Sequence, residues 1–278
     1  MYLRPGTLDE AVAALSAPGG RILAGGTDIF PAAGDRPLVG PIIDISRLAE
    51  LDGIVLGGDR IRIGARTSWS TIMATPLPRC FDALKAAARE VGSIQIQNLG
   101  TIAGNLCNAS PAADGVPPLL ALDAEVELRS QAGIRTLPLS GFISGNRRTA
   151  RREDEIVTAI IVPRTIDAGA SAFLKLGARR YLVISIAMVA AVVEAGPDGR
   201  VAQARIAVGA CSAVAQRLTA LEQEVVGVHA KPGLGALARP EHLAPLSPID
   251  DVRATAAYRL DAALTLVRRA LDACAAEA

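Results

Sequence analysis

Apolar residues along this chain keep two rhythms and switch between them several times. Leu8, Val12 and Leu15 recur at helical spacing behind Thr7, which predicts a short helix over 8–16 with Thr7 as its N-cap. Ile22-Leu23-Ala24 and Ile42-Ile43-Asp44-Ile45 read as short strands. Ile54-Val55-Leu56 and Ile61-Arg62-Ile63 flank a Gly57-Gly58-Asp59-Arg60 turn and read as a hairpin with one wet face. A helix is predicted over 82–91, with Leu84, Ala87, Ala88 and Val91 on one side and Gly92 as its stop. Ile94-Gln95-Ile96-Gln97-Asn98 reads as a turn or a strand, and Pro118 to Leu122 as a short apolar segment. Residues 124–129 alternate as a half-buried strand, Gly133 turns the chain, and 134–139 returns. Residues 155–163 form an apolar strand ended by Pro163.

A polar, glycine-containing link over 165–169 marks a boundary. Beyond it stand three strand candidates, 172–176, 182–194 and 202–209, the last two joined by the turn signal Pro197-Asp198-Gly199. Residues 213–225 read as helical, and 227–248, rich in Gly and Pro, as connection. Leu260, Leu264, Val267 and Leu271 then make one stripe of a long amphipathic helix. The pattern is α+β. The expected division is a first domain over 1–168, with subdomains near 1–53 and 54–168, and a second over 169–278.

Composition narrows the class. With 278 residues, half of them hydrophobic, the chain can bury the cores of two domains. A net charge of +1 with interspersed signs gives no nucleic-acid surface. The densest positive cluster, Arg147-Arg148 with Arg151-Arg152, reads as a solvated turn or a subunit contact. The longest apolar run, 181–193, is too short to span a bilayer. The four cysteines share no metal-ligand spacing, so no metal site is expected, and scattered free thiols suit a reducing cytoplasm. With two histidines only, a His-based triad is not expected and no catalytic residue is assigned; any redox chemistry needs a cofactor.

Two glycine-rich segments carry the candidate chemistry. The first is Leu23-Ala24-Gly25-Gly26-Thr27-Asp28. The second is Gly100-Thr101-Ile102-Ala103-Gly104-Asn105, extended by Ala109-Ser110-Pro111-Ala112-Ala113-Asp114. Glycines let the backbone approach a phosphate, while hydroxyls and amides grip its ester oxygens. Two such loops can hold the two ends of a pyrophosphate, as in a dinucleotide. Neither is a P-loop nor the G-x-G-x-x-G fingerprint. Taken alone, the first reads equally as a tight strand-to-helix turn and the second as a hairpin turn.

In register, these segments resemble the FAD-binding subunit of the molybdenum hydroxylases, the family of carbon monoxide dehydrogenase medium subunits and xanthine dehydrogenase flavin domains. The resemblance extends through Ile63-Gly64-Ala65-Arg66-Thr67, Asp154-Glu155-Ile156-Val157, Lys175-Leu176-Gly177-Ala178-Arg179, Ala257-Tyr258-Arg259 and Arg268-Arg269-Ala270-Leu271. It implies a two-part FAD-binding domain of the vanillyl-alcohol-oxidase type, then a C-terminal domain with a three-stranded antiparallel sheet and a helical bundle. It implies FAD contacts from Ile22, Leu23, Ala24, Gly25, Gly26, Thr27, Asp28 and Ile29, and from Thr101, Ile102, Ala103, Gly104 and Asn105. Asp114 is implied on the adenosine or ribityl side, Val157 near the adenine, and Lys175 near the flavin ring, where a cation would stabilise the reduced anion. Read without the resemblance, Lys175 is a surface lysine at a strand end. Val91 stands where some relatives carry an aromatic ring.

The implied role is electron transfer. Electrons from 2Fe-2S clusters of a small partner subunit, fed by a large molybdopterin subunit, would pass through FAD to an acceptor such as NAD or a quinone. A stand-alone FAD-dependent oxidoreductase, or a scaffold with vestigial loops, are the alternative classes.

Overall fold

The computed structural model describes residues 1–16 and 18–278. Three short strands, β1 (Tyr2–Leu3), β2 (Arg21–Leu23) and β3 (Ile42–Asp44), form a parallel sheet in the order β1-β3-β2. Helix α1 (Leu8–Leu15) starts as its sequence predicts: the Thr7 hydroxyl accepts from the Glu10 amide at 3.2 Å. Its stripe of Leu8, Val12 and Leu15 is buried with Ile43, Ile45 and Leu48. The glycine-rich segment leaves β2 and enters α2 (Ile29–Ala33).

A second sheet is antiparallel. Its strands are β4 (Ile54–Leu56), β5 (Arg60–Gly64), β6 (Glu125–Ser130), β7 (Gly133–Pro138) and β10 (Ile156–Pro163), in the order β4-β5-β10-β6-β7. The two hairpins read from the sequence are both present. Central β10 packs two ways, which is why it carries an almost unbroken apolar run: Ile156 joins the core of the first sheet, while Val157, Ile160 and Val162 join the main core. That main core also takes α3 (Trp69–Ala74), α4 (Asp82–Glu90), α6 (Ile102–Asn108), α7 (Val116–Ala121) and α8 (Leu139–Phe142). A small hairpin, β8 (Ile143–Gly145) with β9 (Arg148–Thr149), follows α8.

The last sheet is β11 (Ala170–Leu176), β12 (Ala187–Ala195), β13 (Val201–Gly209) and β14 (Gln216–Arg217), antiparallel in that order. Both faces of β12 are covered. Met188, Ala190 and Val192 face the main core, while Val189, Ala191 and Val193 face α10 (Ala256–Glu277). The buried face of α10 centres on Ala263, Val267, Ala270, Leu271 and Cys274; the alanines let the helix lie close to the sheet.

Four expectations are corrected. The C-terminal sheet has four strands, because Gln216 and Arg217 pair with Val208 and Ala207. The expected helix over 213–225 accordingly shrinks to α9 (Thr219–Val225), and one long helix with short helical turns replaces a bundle. The strand expected over 182–194 begins at Ala187; Tyr181, Leu182 and Ile184 stay exposed on an irregular segment. Residues 94–99 form helix α5 (Ile94–Leu99), in contact with α3; no strand among the described residues pairs with them to use the Ile-Gln alternation, and Ile94 and Leu99 remain exposed.

Candidate functional site

A cleft of about 850 Å³ lies where the first sheet, the second sheet and the main helical layer meet. That volume is within the roughly 300–1,000 Å³ of small-molecule and cofactor sites. Its walls come from segments far apart in sequence: 20–29, 90–92, 100–114, 147–151, 156–157 and 182–184.

The two glycine segments touch each other backbone to backbone. A Cβ placed on Gly25 would lie 1.8 Å from the Leu99 carbonyl oxygen, so only glycine permits the approach. Gly26 sits at φ 74°, in the left-handed region. The resulting turn leaves the amides of Gly25, Gly26, Thr27 and Asp28 without a protein acceptor among the described residues, and all four residues line the cleft. Consecutive unpaired amides at a cleft wall make an anion nest.

The second segment is built differently. It is neither a hairpin turn nor an open loop but the start of α6, with Thr101 as N-cap: its hydroxyl accepts from the Gly104 amide at 3.0 Å. The amides of Ile102 and Ala103 donate to the carbonyls of Thr67 and Ala65, and the Asn105 amide to Thr101. This segment therefore offers side chains and close packing, with its first-turn amides already paired. Asn105 lines the cleft, and its Oδ1 is buried with no hydrogen-bond partner.

Asp114 closes one end. Its Oδ2 accepts from Lys175 Nζ at 2.6 Å and its Oδ1 from the Ser185 hydroxyl at 2.7 Å. The Lys175 and Asp114 side chains are only 7% and 9% exposed, so Lys175 is no surface lysine. Burial pushes the Asp114 carboxyl above its ordinary value, against the pull of Lys175 and Ser185. Asp28 is shifted the same way by burial, opposed by Arg147 and Asn108.

Of the residues singled out from the sequence, Ile22, Ala24, Gly25, Gly26, Thr27, Asp28, Ile29, Thr101, Ala103, Gly104, Asn105, Asp114 and Val157 line the cleft. Leu23 and Ile102 are buried and off its wall. Lys175 stands behind Asp114, on a neighbouring pocket with Arg179 and Arg180. The polar residues that sequence reasoning missed include part of the arginine cluster: Arg147, Thr149 and Arg151 line the cleft, and Asn108 joins them, as do Arg21 and Glu90. The cluster was visible as charge; its placement over α6 was not. His229 and His242 do not line the cleft. His242 is a structural cap, its Nδ1 accepting from the Arg239 amide at 3.1 Å. No group of three metal-ligating side chains occurs among the described residues, and no helix there is long and apolar enough to cross a membrane.

Residues 1–165 match the family model described as the FAD binding domain in molybdopterin dehydrogenase. Residues 172–274 match the CO dehydrogenase flavoprotein C-terminal domain. The chain is 42% identical to the nicotinate dehydrogenase FAD-subunit of Eubacterium barkeri, over 66% of this chain and 65% of that one, less than two thirds of the relative's length. It is 30% identical to the carbon monoxide dehydrogenase medium chain of Hydrogenophaga pseudoflava over 98% of this chain and 96% of that one. A chain of quinoline 2-oxidoreductase from Pseudomonas putida 86 superposes with a TM-score of 0.90 at 25% identity, covering 99% of this chain and 96% of the other.

Proposed function

From the premise that this chain belongs to the FAD-binding medium-subunit family of the molybdenum hydroxylases, we propose that its cleft holds FAD between the two glycine segments, as part of an oxidoreductase assembled with a large molybdopterin subunit and a small 2Fe-2S subunit. The observation that carries the reading is the row of free amides over Gly25–Asp28, on the lining of a cleft of cofactor size that Thr101, Ala103, Gly104 and Asn105 also line. The residues present fit a dinucleotide. The amides suit a diphosphate, and the unpaired Asn105 Oδ1 awaits a donor such as a ribose or ribityl hydroxyl.

Bound there, FAD supplies electron storage and relay between the partner's 2Fe-2S clusters and an external acceptor such as NAD or a quinone. The chain's residues bind, orient and enclose. Gly25–Asp28 hold the diphosphate. Thr101 and its hydrogen bond to Gly104 fix the adjoining wall. Val157 gives an apolar face, and Asp114, anchored by Lys175 and Ser185, accepts hydrogen bonds at the far end. The parallel sheet beside the five-stranded sheet, with the cleft between, supports the two-part arrangement of the vanillyl-alcohol-oxidase type. A division into domains at 168/169 follows the change from the second sheet to the third. The free cysteines support a cytoplasmic setting.

The test is purification of the assembled complex, chromatography of the released cofactor, and turnover assays on complex and flavoprotein. FAD from the complex, with no substrate oxidation by the flavoprotein alone, is expected. FMN alone, or no flavin from a folded complex, overturns the reading, and substrate turnover by the isolated chain replaces it with a stand-alone oxidoreductase.

A further inference from the structure

The turn between β8 and β9 carries one residue in an unusual conformation. Arg147 has φ 58°, in the left-handed region that favours glycine. Nothing about a solvated turn requires an arginine there; glycine would adopt the same backbone without strain. The turn is docked on the end of α6. The Arg147 amide donates to the carbonyl of Ala109 at 2.9 Å, and Ala109 is itself left-handed at φ 47°. The docking carries the Arg147 side chain over the cleft wall, where its guanidinium donates to Asn108 Oδ1. Asn108 Nδ2 in turn donates to Asp28 Oδ1 at 2.7 Å. A three-residue chain thus joins the cluster turn, the end of α6 and the last residue of the amide nest.

We propose that Arg147 is a cofactor-binding residue: a cation that this cleft presents to the diphosphate of a dinucleotide, aimed by Asn108 and Asp28. The proposal rests on the dinucleotide reading of the same cleft. Three features carry it. First, Arg147 pairs with no carboxylate within 4.0 Å among the described residues, and a guanidinium has five donors, most of them left free for phosphate oxygens. Second, the nest ends on Asp28, an acid. A diphosphate beside it meets repulsion unless a cation stands close, and Arg147 is the basic residue linked to Asp28 through hydrogen bonds. Third, the other arginines of the same turn are placed differently, and Arg21, which also lines the cleft, has no hydrogen-bonded link to Asp28. Arg151 donates to the carbonyls of Arg152 and Glu155, at 2.9 and 2.8 Å, and Arg148 does not line the cleft.

The experiment compares wild type, Arg147→Gly, Arg147→Lys and Arg148→Ala in the assembled complex after its flavin is removed. FAD and ADP, which share the diphosphate, are titrated calorimetrically, and the thermal midpoint of each apo form is recorded. Arg147→Gly relieves the left-handed strain, so its apo midpoint should equal or exceed that of wild type. Its affinity for both FAD and ADP should fall about tenfold, the effect of losing one charge-assisted contact. Arg147→Lys keeps the charge without the fork and should fall between. Arg148→Ala should bind as wild type does. A lowered apo midpoint with unchanged FAD and ADP affinity would make Arg147 a structural latch and overturn the proposal. So would equal losses in Arg147→Gly and Arg148→Ala, which would show a diffuse charge effect. Wild type that binds neither FAD nor ADP would instead refute the dinucleotide reading itself.

Discussion

Substituting Gly25 by alanine tests the central geometric claim, that the two glycine segments meet backbone to backbone. The added Cβ would stand 1.8 Å from the Leu99 carbonyl oxygen, 2.6 Å from its carbonyl carbon and 3.2 Å from the Gly100 nitrogen. Ordinary contact begins near 3.4 Å, so one segment must move by about 1.6 Å. No rotamer relieves this, because every atom met is backbone. Overpacking of a close contact costs about 1–3 kcal/mol, and this case belongs at the upper end. The movement displaces one segment of the cleft lining from the other, so the cost falls on cofactor binding. About 3 kcal/mol corresponds to roughly 100-fold weaker FAD affinity.

The other two glycines calibrate the claim. Gly26→Ala keeps φ 74° strained by roughly 1–2 kcal/mol, but its Cβ is crowded only by the exposed Phe30 ring, which can turn away, and touches Leu23 at an ordinary 3.5 Å. Gly104→Ala meets only Thr101 Oγ1 at 2.8 Å and costs about the value of that cap, near 1 kcal/mol. Flavin fluorescence quenching on titration with FAD, with far-UV circular dichroism as the folding control, should rank the losses Gly25, then Gly26, then Gly104. A folded Gly25→Ala protein that binds FAD within twofold of wild type would refute the reasoning, as would a larger loss at Gly104.

Other outcomes follow from the buried charges. Lys175→Met and Asp114→Asn should each lower stability by about 3 kcal/mol in urea melts, because each strands a buried partner. The double variant should recover most of that loss, whereas additive losses would show that the pair is not coupled. In Lys175→Met the Asp114 carboxyl, already pushed up by burial, should take a proton, leaving little net change in charge at the cleft. Spectroelectrochemistry should then find a smaller fall in flavin potential than loss of a lone cation would give. Burial pushes the Glu155 carboxyl up, but hydrogen bonds from Arg135, at 2.5 and 2.7 Å, and from the Arg152 amide hold it below its ordinary 4.5. A depressed carboxylate stabilises fully above its unfolded value and loses that contribution as pH falls toward the folded one. Glu155→Gln should therefore cost about 2 kcal/mol at pH 7 and flatten the decline in stability below about pH 5, as read from urea melts across pH. Parallel acid limbs in the two proteins would refute this.

Much of the fold was legible because it is local. Thr7 with the Leu8, Val12, Leu15 stripe specifies α1 wherever the chain places it. The hairpins β4–β5 and β6–β7 need only alternation and a turn, and the stripe through Val267 and Leu271 specifies α10. The glycine segments were legible as chemistry, since few residue types permit a left-handed turn at Gly26 or a backbone contact at Gly25. The failures are equally physical. Ile94 to Asn98 alternates like a strand, yet a strand needs a neighbour, and the described residues supply none that pairs with it. Gln216 and Arg217 have no strong preference of their own; the open edge of β13 makes them a strand.

By itself, then, the sequence determined the elements whose periodicity and caps act within about a dozen residues, and the residue types able to cradle a phosphate. Only the tertiary structure decided which of them face the cleft. It gave the anion nest to Gly25–Asp28 and paired the amides of Ile102 and Ala103 elsewhere. It put Lys175 behind Asp114, 61 residues away in sequence, and linked Asn108 to Asp28 across 80. It turned an arginine cluster that reads as solvated charge into a wall of the site. The reason is one of range: helix and hairpin patterns are written in neighbouring side chains. A cleft is closed by sheet register and by the docking of distant segments, which no short window of sequence contains.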